Sequence, residues 1–377
     1  MGDLRLFDTA TGDVMAFAPK RADGAVHIYV CGITPYDATH MGHAATYVTY
    51  DVLHRRLIDM GLTVKMVRNI TDIDDDLLKR AKRDGVNYLD LAFGQKRQFD
   101  SDLAELGVLP PWSEPRATSA IPDIRGMISK FLEIDHAYVV DGWVYYRHQA
   151  VQSFGSISKY SRVDMRTIGE RRGEDPTDSR KSHPLDTVVW RPSLEDEPSW
   201  EAPWGSGRPG WHIECTALSI RELGTIDIHG GGCDLVYPHH EFCSAQLESA
   251  HVDAVKHWVH QSCVHLEGEP MSKSTGNLIF VRDLLKEHDP MVVRLAVLSQ
   301  HYRAIEWSWT EELLEDATVR LHKWRRATGA NGVDPIAEVR TCLDDDLNVP
   351  AAVQVLDQAS EANIDVSAGA ALLGVAL

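Results

Sequence analysis

Along this chain short apolar runs alternate with amphipathic stretches. Residues 25–31 are largely apolar and predict a buried strand. Residues 41–60 carry Val48, Val52 and Leu57 on one side of a helix, and residues 62–69 read as a second strand. Two further stretches, 72–85 and 88–106, predict helices. The first opens on acids and ends on bases, as the helix dipole favours. Strand–helix–strand–helix order predicts an α/β fold with a doubly wound parallel, Rossmann-like sheet.

The rhythm changes at Leu109-Pro110-Pro111. A helix near 121–132 precedes strand-like alternation at 138–147 and a charged, Pro- and Gly-containing segment at 170–209. The α/β pattern resumes at Gly210, with strands near 225–229 and 257–264, and the chain reads as helical from 281 onward. Within that part, 309–327 predicts a helix capped by Ser308, with Glu311 completing a capping box. This organisation places half of the sheet domain at 1–115, an inserted α+β subdomain at 116–205, the other half at 206–280, and a helical C-terminal domain at 281–377.

At 377 residues the chain can bury a large core. No apolar run approaches 18 residues and no export signal appears, which predicts a cytoplasmic protein with no membrane contact. A net charge of −18 disfavours broad nucleic-acid binding. So does the stretch 327–377, where Arg340 is the one basic residue against eight acidic ones. The six cysteines are too scattered for a disulfide framework and point to reduced thiols or metal ligands.

Two strings carry the chemistry. Thr39-His40-Met41-Gly42-His43 opens the first helix, and Met271-Ser272-Lys273-Ser274 lies near the end of a later loop. His40 and His43 are three apart, so they share a helix face. Beside a helix N-terminus they suit the phosphates of ATP, with Lys273 as a partner cation and Mg²⁺ accompanying the nucleotide. Taken singly, the histidines also read as surface or capping residues and the lysine as a solvated loop residue. Cys31, Cys215 and the pair His239-His240 offer thiolate and imidazole donors for Zn²⁺. Cys31 and Cys215 also read as small buried side chains.

At these residues the chain resembles the cysteine-activating branch of class I aminoacyl-tRNA synthetases. The likeness covers roughly residues 29–303. It is carried by Tyr29-Val30-Cys31-Gly32, by residues 210–215, by Gly230-Gly231-Gly232 with Asp234, and by Pro238-His239-His240-Glu241. Residues 31–40, and Glu170-Arg171-Arg172-Gly173-Glu174-Asp175-Pro176, resemble the mycothiol-pathway ligases of that branch, the second element being one residue longer than their pattern. The resemblance implies a class I synthetase fold and zinc held by Cys31, Cys215 and His239. It implies contacts to a cysteinyl-adenylate from Cys31, Gly32, Ile33, Thr34, Thr46, Asn69, Ile70, Thr71, Trp211, Gly232, Cys233, Asp234 and Val264. It also implies a ligase that takes L-cysteine, ATP and glucosaminyl-inositol as a monomer.

Two departures stand out. Cys243 stands where the tRNA enzymes have a glutamate ligand, as a fourth thiolate or as a bystander. Pro270 replaces a lysine of the family pattern, removing a phosphate contact and stiffening the loop. Alternative readings are a cysteinyl-tRNA synthetase and a silent paralogue that binds zinc or nucleotide. Against the tRNA enzyme stand the acidic C-terminal stretch and the lack of room for an anticodon-binding domain.

Overall fold

The computed structural model describes residues 4–21, 23–271, 276–305 and 307–377. Four parallel strands form the central sheet: β1 (Val26–Ile33), β2 (Val64–Ile70), β3 (Ile228–Gly232) and β4 (His257–Gln261). Their order is β4-β3-β1-β2. The chain winds outward in both directions from the β1/β3 pair, so the carboxyl ends of those strands diverge and leave a crevice. β1 is buried on both faces along nearly its whole length, as a covered parallel strand must be.

Three helices place side chains at this crevice: α1 (Met41–Asp59), α2 (Trp211–Leu223) and α3 (Glu241–Ser249). Between β2 and β3 the chain builds an antiparallel sheet from Ala137–Val140, Trp143–Tyr146, Thr187–Arg191 and Arg208–Pro209, with the helix Ile121–Glu133 ahead of it. The helices Pro290–Leu298, Glu311–Ala327, Ile336–Asp344, Val349–Glu361 and Ser367–Leu372 follow β4. Their apolar faces share a core with α1, where Ala45, Val48 and Val52 join Val293, Leu321, Trp324 and Leu356.

Glycines let the sheet close tightly. A Cβ on Gly32 would sit 1.5 Å from the Asn69 carbonyl oxygen. Gly32→Ala should therefore cost about 1–3 kcal/mol, because β1 and β2 must move apart. Chemical denaturation measures this, and an unchanged midpoint would contradict it.

Several expectations need correction. Ser308 does not cap a helix. It lies in the short strand Trp307–Ser308, paired with Val264 and His265, and the helix begins at Glu311 after Thr310. Backbone pairing to a neighbouring strand took precedence over the local capping signal. The strand expected at 225–229 runs instead from Ile228 through the glycines, because Gly230 packs against Tyr50. Cys233 and Cys263 are joined in a disulfide, against the expectation of reduced thiols. The loops after β3 and β4 bring them together across adjacent strands, a proximity that a separation of 30 residues conceals. Arg5–Asp8 and Asp13–Ala16 form a hairpin that the pattern did not announce. Among the described residues no helix is long and apolar enough to cross a membrane.

Candidate active site

His40 occupies the N-cap position of α1, and its ring stacks on His43 with centroids 3.7 Å apart. Gly42 leaves room for this, since a Cβ there would lie 3.0 Å from the His40 ring. The Met41 N–H donates to the Ile279 carbonyl at 2.9 Å, and the Val281 N–H donates to the Thr39 carbonyl at 2.9 Å. The two histidines are thus fastened beside the chain that follows the second string. Lys273 lies outside the described residues, as do Ser272 and Ser274. Pro270, at the exposed end of a short strand, pairs with His265.

At the carboxyl ends of β1 and β2 a small network forms. The Gly32 N–H donates to Asn69 Oδ1 at 2.8 Å, Asn69 Nδ2 donates to Thr71 Oγ1 at 3.1 Å, and the Thr71 N–H donates to the Ile33 carbonyl at 2.9 Å. Ile33 pairs with Ile70 after a register shift that follows Val30. Thr46 faces Gly232, whose Cβ position is 3.9 Å from Thr46 Oγ1 and 2.6 Å from Asp234 Oδ1. Cys233, through its disulfide, joins this edge to the residue preceding Val264. Asp234 pairs with Arg172 at 3.1 Å. The Thr34 carbonyl accepts from the Tyr36 N–H at 2.9 Å.

Cys31 at the end of β1, Cys215 on α2 and His239 in the turn Val236–His240 converge. One ligand atom from each lies within 4.8 Å of the others, and all three residues are buried. Burial, reinforced by Cys215 and Cys243, raises the Cys31 thiol well above its ordinary value, and burial pushes the His239 imidazole well below its own. His239 Nε2 is buried and has no hydrogen-bond partner. An orphaned imidazole nitrogen beside two thiols is costly in a dry interior and is the donor set zinc prefers. Trp211 stacks on the His239 ring at 4.2 Å.

Cys31, His229 and His240 make a second, overlapping group. Here Cys31 Sγ is 3.2 Å from His240 Nε2, His240 Nδ1 is 2.6 Å from His260 Nε2, and His260 Nδ1 is 2.7 Å from Thr9 Oγ1. An ion bound through Nε2 would cost His240 its contact with Cys31, whereas His239 would lose none at Nε2. The first group, with two thiols to the second's one, is the softer donor set and fits zinc better. Cys243 belongs to neither. Its thiol donates to the His212 carbonyl at 3.5 Å.

Sequence reasoning missed Glu174 as an individual side chain. Its carboxylate, brought in from the segment between β2 and β3, contacts His212 at 3.3 Å, Lys181 at 2.9 Å and Thr187. Burial opposes its charge, but His212, Lys181 and Thr187 hold its carboxyl at about 2 against an ordinary 4.5. A folded value below the unfolded one means the folded state binds fewer protons. Stability from this group is thus present above pH 4.5 and lost as pH falls toward about 2. We expect the unfolding free energy of Glu174→Gln to fall less steeply over that interval. Parallel acid-unfolding curves for the two proteins would refute this.

A family model described as tRNA synthetases class I (C) catalytic domain matches residues 17–319. L-cysteine:1D-myo-inositol 2-amino-2-deoxy-alpha-D-glucopyranoside ligase of Kribbella flavida is 44% identical over 382 residues, covering 99% of this chain and 94% of that protein. The protein of the same name from Mycobacterium tuberculosis is 46% identical, covering 94% of this chain and 88% of its own length. Among solved structures, methionyl-tRNA synthetase of Mycobacterium tuberculosis bound by methionyl-adenylate superposes with a TM-score of 0.63. That match covers 93% of this chain and 88% of the other at 15% identity, a likeness of fold.

Proposed function

This chain belongs to the tRNA synthetase class I (C) catalytic-domain family, and from that premise we propose that it is an ATP-dependent ligase. It activates L-cysteine as cysteinyl-adenylate and transfers it to the amine of glucosaminyl-inositol, releasing AMP and diphosphate. The observation that carries this reading is the buried Cys31, Cys215 and His239 group near the carboxyl end of β1. The near full-length similarity to the ligases of Kribbella flavida and Mycobacterium tuberculosis supports the acceptor.

In this reading Cys31, Cys215 and His239 hold Zn²⁺. Bound zinc supplies a soft centre for the substrate's sulfur, which distinguishes cysteine from serine where a pocket differing by one atom would not. Asn69 and the Gly32 backbone line the adenylate side of the crevice, with Ile33, Ile70, Thr71, Thr46, Gly232, Cys233 and Val264 around them. Thr34 and Asp234 face the ammonium, and Arg172 must yield Asp234 when the substrate arrives. His40 and His43, at a helix N-terminus, face the phosphates of Mg²⁺-ATP together with Lys273. The chain works in the cytoplasm on small molecules, as a monomer.

Pyrophosphate release with cysteine and ATP, followed by transfer to the amino sugar or to tRNA, tests the proposal. Amide formation without tRNA charging is expected. Charging of tRNA with no amide product would overturn the acceptor and favour a cysteinyl-tRNA synthetase.

A further inference from the structure

We propose that Glu174 and His212 are positioning residues that set the tautomer of His239 and so present its Nε2 lone pair to the buried thiols. The proposal rests on the zinc reading above.

The contacts run in series. Glu174 Oε1 is 3.3 Å from His212 Nε2, and His212 Nδ1 is 2.9 Å from His239 Nδ1. Both histidines are buried. Two ring nitrogens at that separation share one hydrogen, so one donates and the other accepts. Their distance alone does not say which. Glu174 decides it, because a carboxylate only accepts. It already takes hydrogens from Lys181 Nζ at 2.9 Å and from Thr187 Oγ1. A neutral His212 must therefore carry its hydrogen on Nε2, which leaves its Nδ1 bare. His239 donates from Nδ1, and its own Nε2 is left bare. That nitrogen is the one with no partner in the structure, on the residue that groups with Cys31 and Cys215. The opposite arrangement would put an N–H on His239 Nε2, aimed at the thiols, where it could not ligate.

The sequence origin of the three residues makes the relay informative. His212 is on α2 and His239 precedes α3, both in the sheet domain, whereas Glu174 comes from the element 170–176 between β2 and β3. Its N–H is tied to the Gly169 carbonyl at 2.9 Å, and Thr187 belongs to the antiparallel sheet. The inserted segment thus reaches the metal group through a carboxylate–imidazole–imidazole line. Outer partners of this kind orient a ligand and typically alter metal affinity about 10- to 100-fold.

The test is a double-mutant cycle on the full chain, read by Zn²⁺ affinity in chelator competition and by the thiolate charge-transfer band of the Co²⁺-loaded protein. Glu174→Ala should weaken zinc binding about 10- to 100-fold. His212→Asn supplies a carboxamide oxygen that accepts from His239 Nδ1 with no help from Glu174. In that background Glu174→Ala should change zinc affinity by no more than about twofold, as independent sites do. Unchanged affinity in Glu174→Ala, or the same loss in both backgrounds, overturns the relay; the second result would mark Glu174 as a structural anchor of Lys181 and Thr187. If Glu174→Ala does not fold, Glu174→Asp, which withdraws the carboxylate by one methylene, takes its place with the same criteria. Zinc uptake by the unsubstituted chain separates the two readings. Its absence sinks the metal site itself, whereas a failed cycle with zinc still bound sinks the relay alone.

Discussion

Cys215→Ser should abolish zinc uptake and lower cysteine-dependent pyrophosphate release by more than about 100-fold. The bound is set by the loss typical of outer partners, about 10- to 100-fold, which a direct ligand must exceed. The substitution exchanges a soft thiolate for a hydroxyl that stays protonated and binds zinc poorly. Serine is close to cysteine in volume, so α2 should keep its packing and the thermal midpoint should move little. Elemental analysis and exchange kinetics on one preparation decide the matter. Activity within a factor of a few of the unsubstituted protein would remove Cys215 from the metal set.

The second large effect concerns stability. Arg294, on the helix Pro290–Leu298, is 0% exposed and pairs with Asp51 of α1, itself 2% exposed. Its Nε donates to the Leu373 carbonyl at 2.9 Å and its Nη1 to the Leu106 carbonyl at 2.9 Å. Burial works against the guanidinium's charge, and Asp51 supports it. Arg294→Met should cost about 3–5 kcal/mol, because it leaves the buried carboxylate short of a partner. Arg55, which also contacts Asp51 at 2.8 Å, covers part of the deficit but not the two carbonyls. Adding Asp51→Leu should recover some of the loss, since the unpaired charge then disappears. Urea unfolding gives both numbers. A change within about 0.5 kcal/mol for the single variant, the range of surface substitutions, would show the pair to be dispensable.

The central sheet was legible because its strands are covered on both faces and read as apolar runs. The position and type of β1, α1 and β2 follow from residues 25–70 alone. β3 was legible as a strand but not in its bounds, because three successive glycines carry no strand signal. They are tolerated because a Cβ at Gly230 would meet Tyr50 Oη at 1.6 Å, a contact made across the fold. Cys31, Cys215 and His239 could be named through resemblance, whereas their spacing alone left the bland reading open. His212 and Glu174 could not be singled out as positioning residues. Their meaning lies in hydrogen-bond partners 27 and 38 residues away, and short-range pattern does not encode such pairs. Arg294 did leave a trace, as a lone cation in an otherwise apolar run, Met291-Val292-Val293-Arg294-Leu295-Ala296. A charge in such a place announces a buried counter-ion without saying where it is.

The small apolar residues near position 370 acquire a meaning from that pair. Arg294 holds the Leu373 carbonyl, and Gly374, at φ +72, lies against Arg294 and Arg55 with no space for a side chain. The last helix is therefore latched onto the same α1 that presents His40 and His43 at its opposite end. Those two regions should melt as one cooperative unit. Amide hydrogen exchange should return a common opening free energy for the middle of α1 and for Ser367–Leu372.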